Sequence, residues 1–322
     1  MCQTDRLSAA SRPQCRHVRA VSSPPISRRA FVLLLLLACM FGGNHVAARI
    51  ALDHGVDVAT AVAVRSLVTA AVVAVIVVLN RVPLTLSARH RKVMPLIAAL
   101  ISIQSLCLYS SVARIPVGLA LLAFNTYPLW TAAAVWAIYK HKPERAVLIA
   151  MPVILLGLAL ALDVTGLASG LDAKAHWGRI GAGVGYALVA GATFGLVLAL
   201  TQHEVADLDG RLRTTITMGI VGVLALLGTF TQGGLHWPEA TAGWWGLAAL
   251  TLLYGTAFTI MFTLLPRLGV VGSSPILNVE PVAALAMAWL WLGQSVSVIQ
   301  VLGALLVVSA VMALGLRRRG AG

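Results

Sequence analysis

Two charged side chains sit deep in apolar runs, where chemistry is costly to place. Glu280 lies in ILNVEPVAALAMAW (276–289) directly before Pro281, and Arg65 lies in VATAVAVRSLVTAA (58–71). Each is about nine or ten residues into its run, or roughly 13–15 Å at 1.5 Å per helical residue. Charges at that depth of a bilayer are rare and face a water-filled path or a partner. A carboxylate at Glu280 could line a substrate path, neutralise a substrate amine or take up a proton during coupling. A structural role is equally open: Glu280 pairs with Arg65, or binds backbone groups loosened by Pro281. For Arg65 the structural reading is the stronger, because long basic side chains snorkel out of hydrocarbon.

Other polar residues join these two as pathway candidates. Asn125 and Asn278 each stand three residues before a proline, Pro128 and Pro281. A proline inside a helix frees the carbonyl four residues back, so both prolines are expected as helix kinks, serving as hinges or only as fixed bends that aid packing. Tyr127 takes the place before Pro128 that Glu280 takes before Pro281. Asn44 and Gln104 complete the candidate set. His45, Ser105, Tyr109 and Tyr254 read as polar glue between helices. His45 would be a natural titrating group, although it falls toward the outer end of its helix.

No catalytic residue, metal ligand or cofactor site is indicated. The four cysteines (Cys2, Cys15, Cys39, Cys107) make no CxxC or Cys/His set. His203-Glu204 begins a zinc-protease-like string that fails at Asp207. GAGVG (181–185) and GATFG (191–195) are small-residue spacings for close helix packing, since the dinucleotide spacing fails at Tyr186.

These residues must be positioned by membrane helices. The 322 residues are 59% hydrophobic and only 11% charged, with a mean hydropathy of +0.90, against about 25% charged in a soluble domain. A bilayer core takes roughly 20 apolar residues per helix. The chain is therefore expected to be an all-α membrane protein with ten spans, near 30–51, 57–79, 93–113, 116–138, 146–163, 179–201, 213–231, 243–265, 271–292 and 298–316. Residues 1–29 read as a disordered basic cytoplasmic tail and 317–322 as a second basic tail. SRRAFV (27–32) and LLAC (36–39) imitate export signals, but the apolar run continues through FGGN (41–44), so the first helix is expected to stay uncleaved.

The net charge of +13 does not point to nucleic acid, because the basic residues occupy tails and short loops without interleaved aromatics. With both termini cytoplasmic, 19 of the 24 Lys/Arg fall inside; Arg49, Arg114, Lys174 and Arg179 fall outside, and Arg65 lies within a span. That is the positive-inside distribution.

An internal repeat orders the spans. NTYPLWTAAAVW (125–136) and NVEPVAALAMAW (278–289) share Asn, Pro, Ala and Trp at an offset of 153, and Arg114 matches Arg267 at the same offset. Five spans per half reverses the second half, which is the inverted-repeat plan of many secondary transporters, with substrate sites near the midplane. The halves are expected at 30–163 and 179–316.

Over about residues 30–316 the chain resembles the drug/metabolite transporter superfamily of the EamA type. The resemblance is carried by FGGNHVAAR (41–49), VRSLVTAA (64–71), NTYPLW, NVEPVA and, most strongly, EPVAALAMAWLWLGQSVSVIQVLGALLVVSAV (280–311). Where that family has a glycine-glutamate pair after each proline helix, this chain has Lys140-His141 and Gly293-Gln294, so no role of those acids carries over. The resemblance implies a carrier in the cell (inner) membrane, not an enzyme, that moves small organic metabolites, often outward. The nearly uncharged path suggests amino-acid-like or amphipathic solutes. No ATP-binding loop is recognisable, so a gradient or exchange would supply the energy, and Glu280 makes protons a candidate coupling ion. The expected partners are a small-molecule substrate and the lipid bilayer, with room for a homodimer and no nucleic acid. The competing class is a non-transporting polytopic scaffold or sensor, which the short loops serve poorly.

Overall fold

The computed structural model describes residues 28–142, 145–163, 173–263, 279–294 and 297–320, all helix and connections with no strand among them. The helices are α1 (Arg28–Asp53), α2 (Val58–Leu79), α3 (Ala88–Arg114), α4 (Val117–Phe124), α5 (Tyr127–Tyr139), α6 (Arg145–Ala161), α7 (Ala173–Glu204), α8 (Gly210–Phe230), α9 (Thr241–Thr263), α10 (Glu280–Leu292) and α11 (Val298–Gly320). Among the described residues, seven stretches are long and apolar enough to cross a bilayer, with α4 and α5 together forming one of them; three apolar helices are shorter (148–161, 280–292 and 298–313). The tail before residue 28, Arg267 and Asn278 lie outside the described residues.

Local chemistry sets several boundaries. Asp57 accepts from the Thr60 amide at 2.6 Å and starts α2. Ser87 and His90 form a reciprocal capping box at α3. Asp209 accepts from the Arg211 amide at 2.8 Å at the head of α8. These contacts satisfy amides that have no partner inside the helix. Outward faces carry exposed apolar groups such as Val78, Leu79, Trp245 and Trp291. So many exposed large apolar side chains suit lipid rather than water.

The 153-residue offset recurs in the backbone. α3 and α9 begin at 88 and 241; α5 and α10 run from 127 to 139 and from 280 to 292; α6 and α11 begin at 145 and 298. The packing follows the same exchange. α1 packs on α9 and α10, while α7 packs on α3 and α5; α2 meets α8, and α6 meets α11.

The fourth span departs from expectation. The sequence predicts a continuous, kinked helix over 116–138, but the structure breaks it at Asn125-Thr126 into α4 and α5. Pro128 lies in the first turn of α5 and Pro281 in the first turn of α10, where the missing amide N–H costs no helical hydrogen bond. The prolines start helices instead of bending them. The end of α4 is closed by side chains: the Asn125 amide donates to Leu121 O at 2.8 Å, and the Thr126 hydroxyl to Ala123 O at 2.8 Å.

Candidate functional site

The ends of the repeat set the site. Glu280 is the first residue of α10, where the positive end of the helix dipole favours a carboxylate. Helix α1 approaches closely because position 42 is glycine: a Cβ there would come within 2.9 Å of the Ala284 amide nitrogen and 3.1 Å of Glu280 O. One turn further along α1, His45 Nε2 reaches Glu280 Oε1 at 3.3 Å. The His45 side chain is 8% exposed and that of Glu280 24%. His45 Nδ1 is buried without a hydrogen-bond partner.

Next to this pair stands Tyr109 of α3. Its ring centroid is 5.7 Å from that of His45, and its hydroxyl donates to Asn44 Oδ1 at 3.0 Å. Tyr109 also meets Arg65 of α2, which is 2% exposed. The guanidinium carbon sits 4.7 Å from the Tyr109 ring centroid and 4.0 Å from that of Tyr254 on α9. Arg65 Nη2 donates to Ser105 Oγ at 2.9 Å, and Arg65 Nε is buried without a partner. Five helices thus contribute to one polar cluster in an apolar interior: α1, α2, α3, α9 and α10.

The structure does not pair Arg65 with Glu280. Arg65 takes two tyrosine faces and a serine hydroxyl, and Glu280 takes His45. His45, in the second half of α1, is central to the cluster, where it meets both Glu280 and Tyr109. The sequence marks Ser105, Tyr109 and Tyr254 only as generic polar glue. The spacing of Ser105 and Tyr109, four residues apart on one helix face, is the signal that they act together.

Among the remaining candidates, Asn44 and Gln104 border the cluster; Gln104 Oε1 accepts from the Ser105 hydroxyl at 3.3 Å. Asn125 does not reach it, since its amide is spent on Leu121 O. Tyr127 belongs to a separate aromatic group, with ring centroids 5.6 Å from Phe124 and 5.2 Å from Phe194.

That aromatic group occupies the related place at the other crossing of the repeat, where α7 meets α5. A Cβ on Gly195, 153 residues beyond Gly42, would come within 2.7 Å of the Thr131 amide nitrogen, and Thr131 is the mate of Ala284. The backbone approach is therefore repeated, while the chemistry is not. The mates of Asn44, His45, Arg65, Gln104, Ser105 and Tyr109 are Val197, Leu198, Met218, Ala257, Phe258 and Phe262.

Polar contacts also gather at the helix ends. Where α3 begins and α7 ends, Arg89 Nε donates to Glu204 Oε2 at 2.7 Å and the Tyr139 hydroxyl to Glu204 Oε1 at 2.8 Å. Arg89 also donates to His203 O, and the His203 ring stacks on Tyr139. His90 Nε2 lies 3.1 Å from Asp207 Oδ1, and this bond holds the Asp207 carboxyl below the usual carboxylate range. At the opposite end of α2, His236 Nδ1 lies 2.8 Å from Asp57 Oδ2. Gln294, in place of an acid, accepts from the Val117 amide at 3.2 Å and so caps α4. Two surface clefts, of about 360 Å³ beside Asp57 and Arg114 and about 380 Å³ beside Trp237 and Trp244, are not lined by Glu280 or Arg65. The buried cluster, with its concentrated unlike chemistries, is the stronger candidate site.

Comparison with known proteins agrees with the repeat. The profile of the EamA-like transporter family matches residues 28–162 and again residues 181–316. A solved structure titled only as the crystal structure of a protein superposes with a TM-score of 0.58 at 16% identity, covering 91% of this chain and 99% of that one. It shares the fold. No curated protein matches the chain.

Proposed function

The chain belongs to the EamA-like transporter family, and from that premise we propose that it carries small organic solutes outward across the cell membrane by alternating access. Ten spans, in two five-helix halves of opposite orientation and with both termini cytoplasmic, form the carrier. Support for this arrangement comes from the helix pairs that exchange under the 153-residue offset and from the Lys/Arg bias of the loops. The solute path runs between the halves, past Glu280, Asn44 and Arg65.

The observation that carries this reading is the His45–Glu280 contact at 3.3 Å in a membrane-buried setting. A histidine and a carboxylate in contact can share or release a proton with little rearrangement, and intramembrane pairs of this kind mark ion and substrate pathways. Helix α10 begins at Glu280, so motion of α10 against α1 would make or break the contact. Protonation of the pair is thereby linked to the state of the path, and proton exchange drives the cycle.

Proteoliposomes containing the full chain test this reading. A mixed pool of amino acids and amphipathic amines is loaded inside, and a pH gradient is imposed across the membrane. Gradient-driven efflux is expected from the wild type and falls by roughly 10–100-fold in Glu280→Gln. Efflux that responds to the gradient equally well in Glu280→Gln removes Glu280 from coupling. No movement of any pool member by the wild type sinks the carrier reading.

A further inference from the structure

Arg65 is buried to 2% exposure, yet among the described residues no carboxylate lies within ion-pair distance of it. The acid the sequence offered as its partner, Glu280, is engaged by His45. A buried charge without a counter-ion is destabilising, and two tyrosine faces with one serine hydroxyl compensate only in part. Cation–π contacts offer the guanidinium the faces of aromatic rings, which are poor acceptors for its N–H groups. They leave the in-plane hydrogen bonds to be made, and of these Ser105 takes one from Nη2 while Nε has no partner. An arginine that lies against two rings and keeps a buried Nε donor without a partner is suited to a planar two-oxygen acceptor.

We propose that Arg65 is the carboxylate-recognising residue of this carrier: the solute carries a carboxylate group that binds the guanidinium edge between Tyr109 and Tyr254. This rests on the transporter reading above. The bound carboxylate supplies the counter-ion that the fold withholds, so the site is better satisfied loaded than empty. It also ties recognition to the proton site. Tyr109 packs on Arg65 through one contact and on the His45 ring through another, and its hydroxyl holds Asn44. An anion arriving at Arg65 therefore acts on the residues that flank Glu280. A single arginine suits one carboxylate; a phosphate or a dicarboxylate would call for further basic groups.

The test uses the purified full chain in detergent and matched acid–amide probes: acetate and acetamide, benzoate and benzamide, glycine and glycinamide, leucine and leucinamide, phenylalanine and phenylalaninamide. Thermal unfolding is followed as each is titrated. At least one acid is expected to raise the unfolding midpoint, with its amide at least about tenfold weaker in half-saturation, as the loss of a charge-assisted bidentate contact requires. Arg65→Gln is expected to abolish the acid's advantage, and Arg65→Lys to retain the charge but lose most of the preference for want of the fork. If no acid shifts the wild type, if amides do as well as acids, or if Arg65→Gln keeps the preference, the proposal is overturned. The wild-type acid–amide comparison decides the matter even if Arg65→Gln does not fold. Carboxylate-free solutes carried as well as their acids in proteoliposomes would end this proposal while leaving the carrier reading intact; failure to carry anything ends that reading instead.

Discussion

Glu280 and Tyr127 stand at the same point of two copies of one arrangement. Each opens a 13-residue helix. The residues just before them have nearly the same backbone angles, φ −71° and ψ −7° at Thr126 against φ −75° and ψ −11° at Val279. Each helix is crossed by a partner through a glycine, Gly195 or Gly42. Each ends on a left-handed residue, Lys140 or Gly293. Around this shared backbone the side chains diverge: phenylalanine rings surround Tyr127, and His45, Asn44, Tyr109 and Arg65 gather near Glu280. The frame is thus set by small residues, helix starts and helix ends, which are indifferent to what fills the space between. Polar side chains can be concentrated at one of the two repeated crossings without disturbing the geometry that both need.

The largest expected effect breaks that asymmetry. Glu280→Gln keeps the shape but removes the carboxylate that His45 meets. Loss of a hydrogen bond to a charged group, at about 1.5–3 kcal/mol, corresponds to roughly 10–100-fold in coupled transport. Tyr127→Phe, at the mate position, should change transport by less than about twofold, since no charged group is lost. Gradient-driven flux in proteoliposomes compares the two. Equal losses would mean that the two places are functionally alike after all.

The shared frame predicts the opposite pattern for the glycines. Gly42→Val and Gly195→Val each push a side chain onto a backbone nitrogen, at Ala284 and Thr131. Overpacking typically costs about 1–3 kcal/mol, and the two variants should lose comparable stability in thermal unfolding. A large cost at one and none at the other would show that the crossing is not truly repeated.

How much of the molecule is legible in the sequence depends on the kind of signal. Glu280 and Arg65 stand out because a charge within an apolar run is too costly to persist without a partner or a path. The repeat is visible because Asn, Pro and Trp recur at one offset in segments otherwise made of interchangeable apolar residues. The partners of Glu280 and Arg65 are not visible. Adjacent helical residues point about 100° apart, so whether Asn44 or His45 meets α10 turns on helix rotation, and rotation is fixed here by the contact at Gly42. Tyr254 faces Arg65 only because α9 packs on α2. The break after Asn125 is hidden for a different reason: a proline reads alike in a kink and in a first turn. The distinction is made by Asn125 and Thr126, whose side chains satisfy the carbonyls that end α4.

The two helix ends sharpen the comparison at a finer scale. Lys140 and Gly293 have φ of 61° and 62°. A left-handed conformation costs a residue with a Cβ about 1–2 kcal/mol and costs glycine little. Lys140→Gly is therefore expected to stabilise the protein by about 1 kcal/mol. That gain is reduced by the loss of the exposed bond from Lys140 Nζ to Ala137 O. Gly293→Ala should destabilise by a similar amount. Opposite shifts in unfolding midpoint would confirm that one geometry is imposed on both halves; shifts of the same sign would refute it.

The smallest effect belongs to the start of α3, where the two halves are capped differently. Ser87 and His90 form a capping box there, and His90 binds Asp207; the mates at the start of α9 are Ala240 and Gly243, which offer neither contact. Because the bond from His90 lowers the Asp207 carboxyl below its ordinary value, the unfolded chain binds this proton at a higher pH than the folded one. Asp207 therefore adds stability at neutral pH. That contribution is lost as pH falls below about 4, the ordinary aspartate value, and through the lower folded value. The carboxylate is largely exposed, so solvent screening keeps the effect small. Asp207→Asn should flatten part of the acid limb of a stability–pH curve and leave the neutral plateau only slightly lower. The Asp209 carboxyl, held low by Arg211, supplies a residual slope of the same sign. A variant curve that parallels the wild type at every pH would show that the His90 contact does not form in solution, and the α3 end would then resemble its mate at α9.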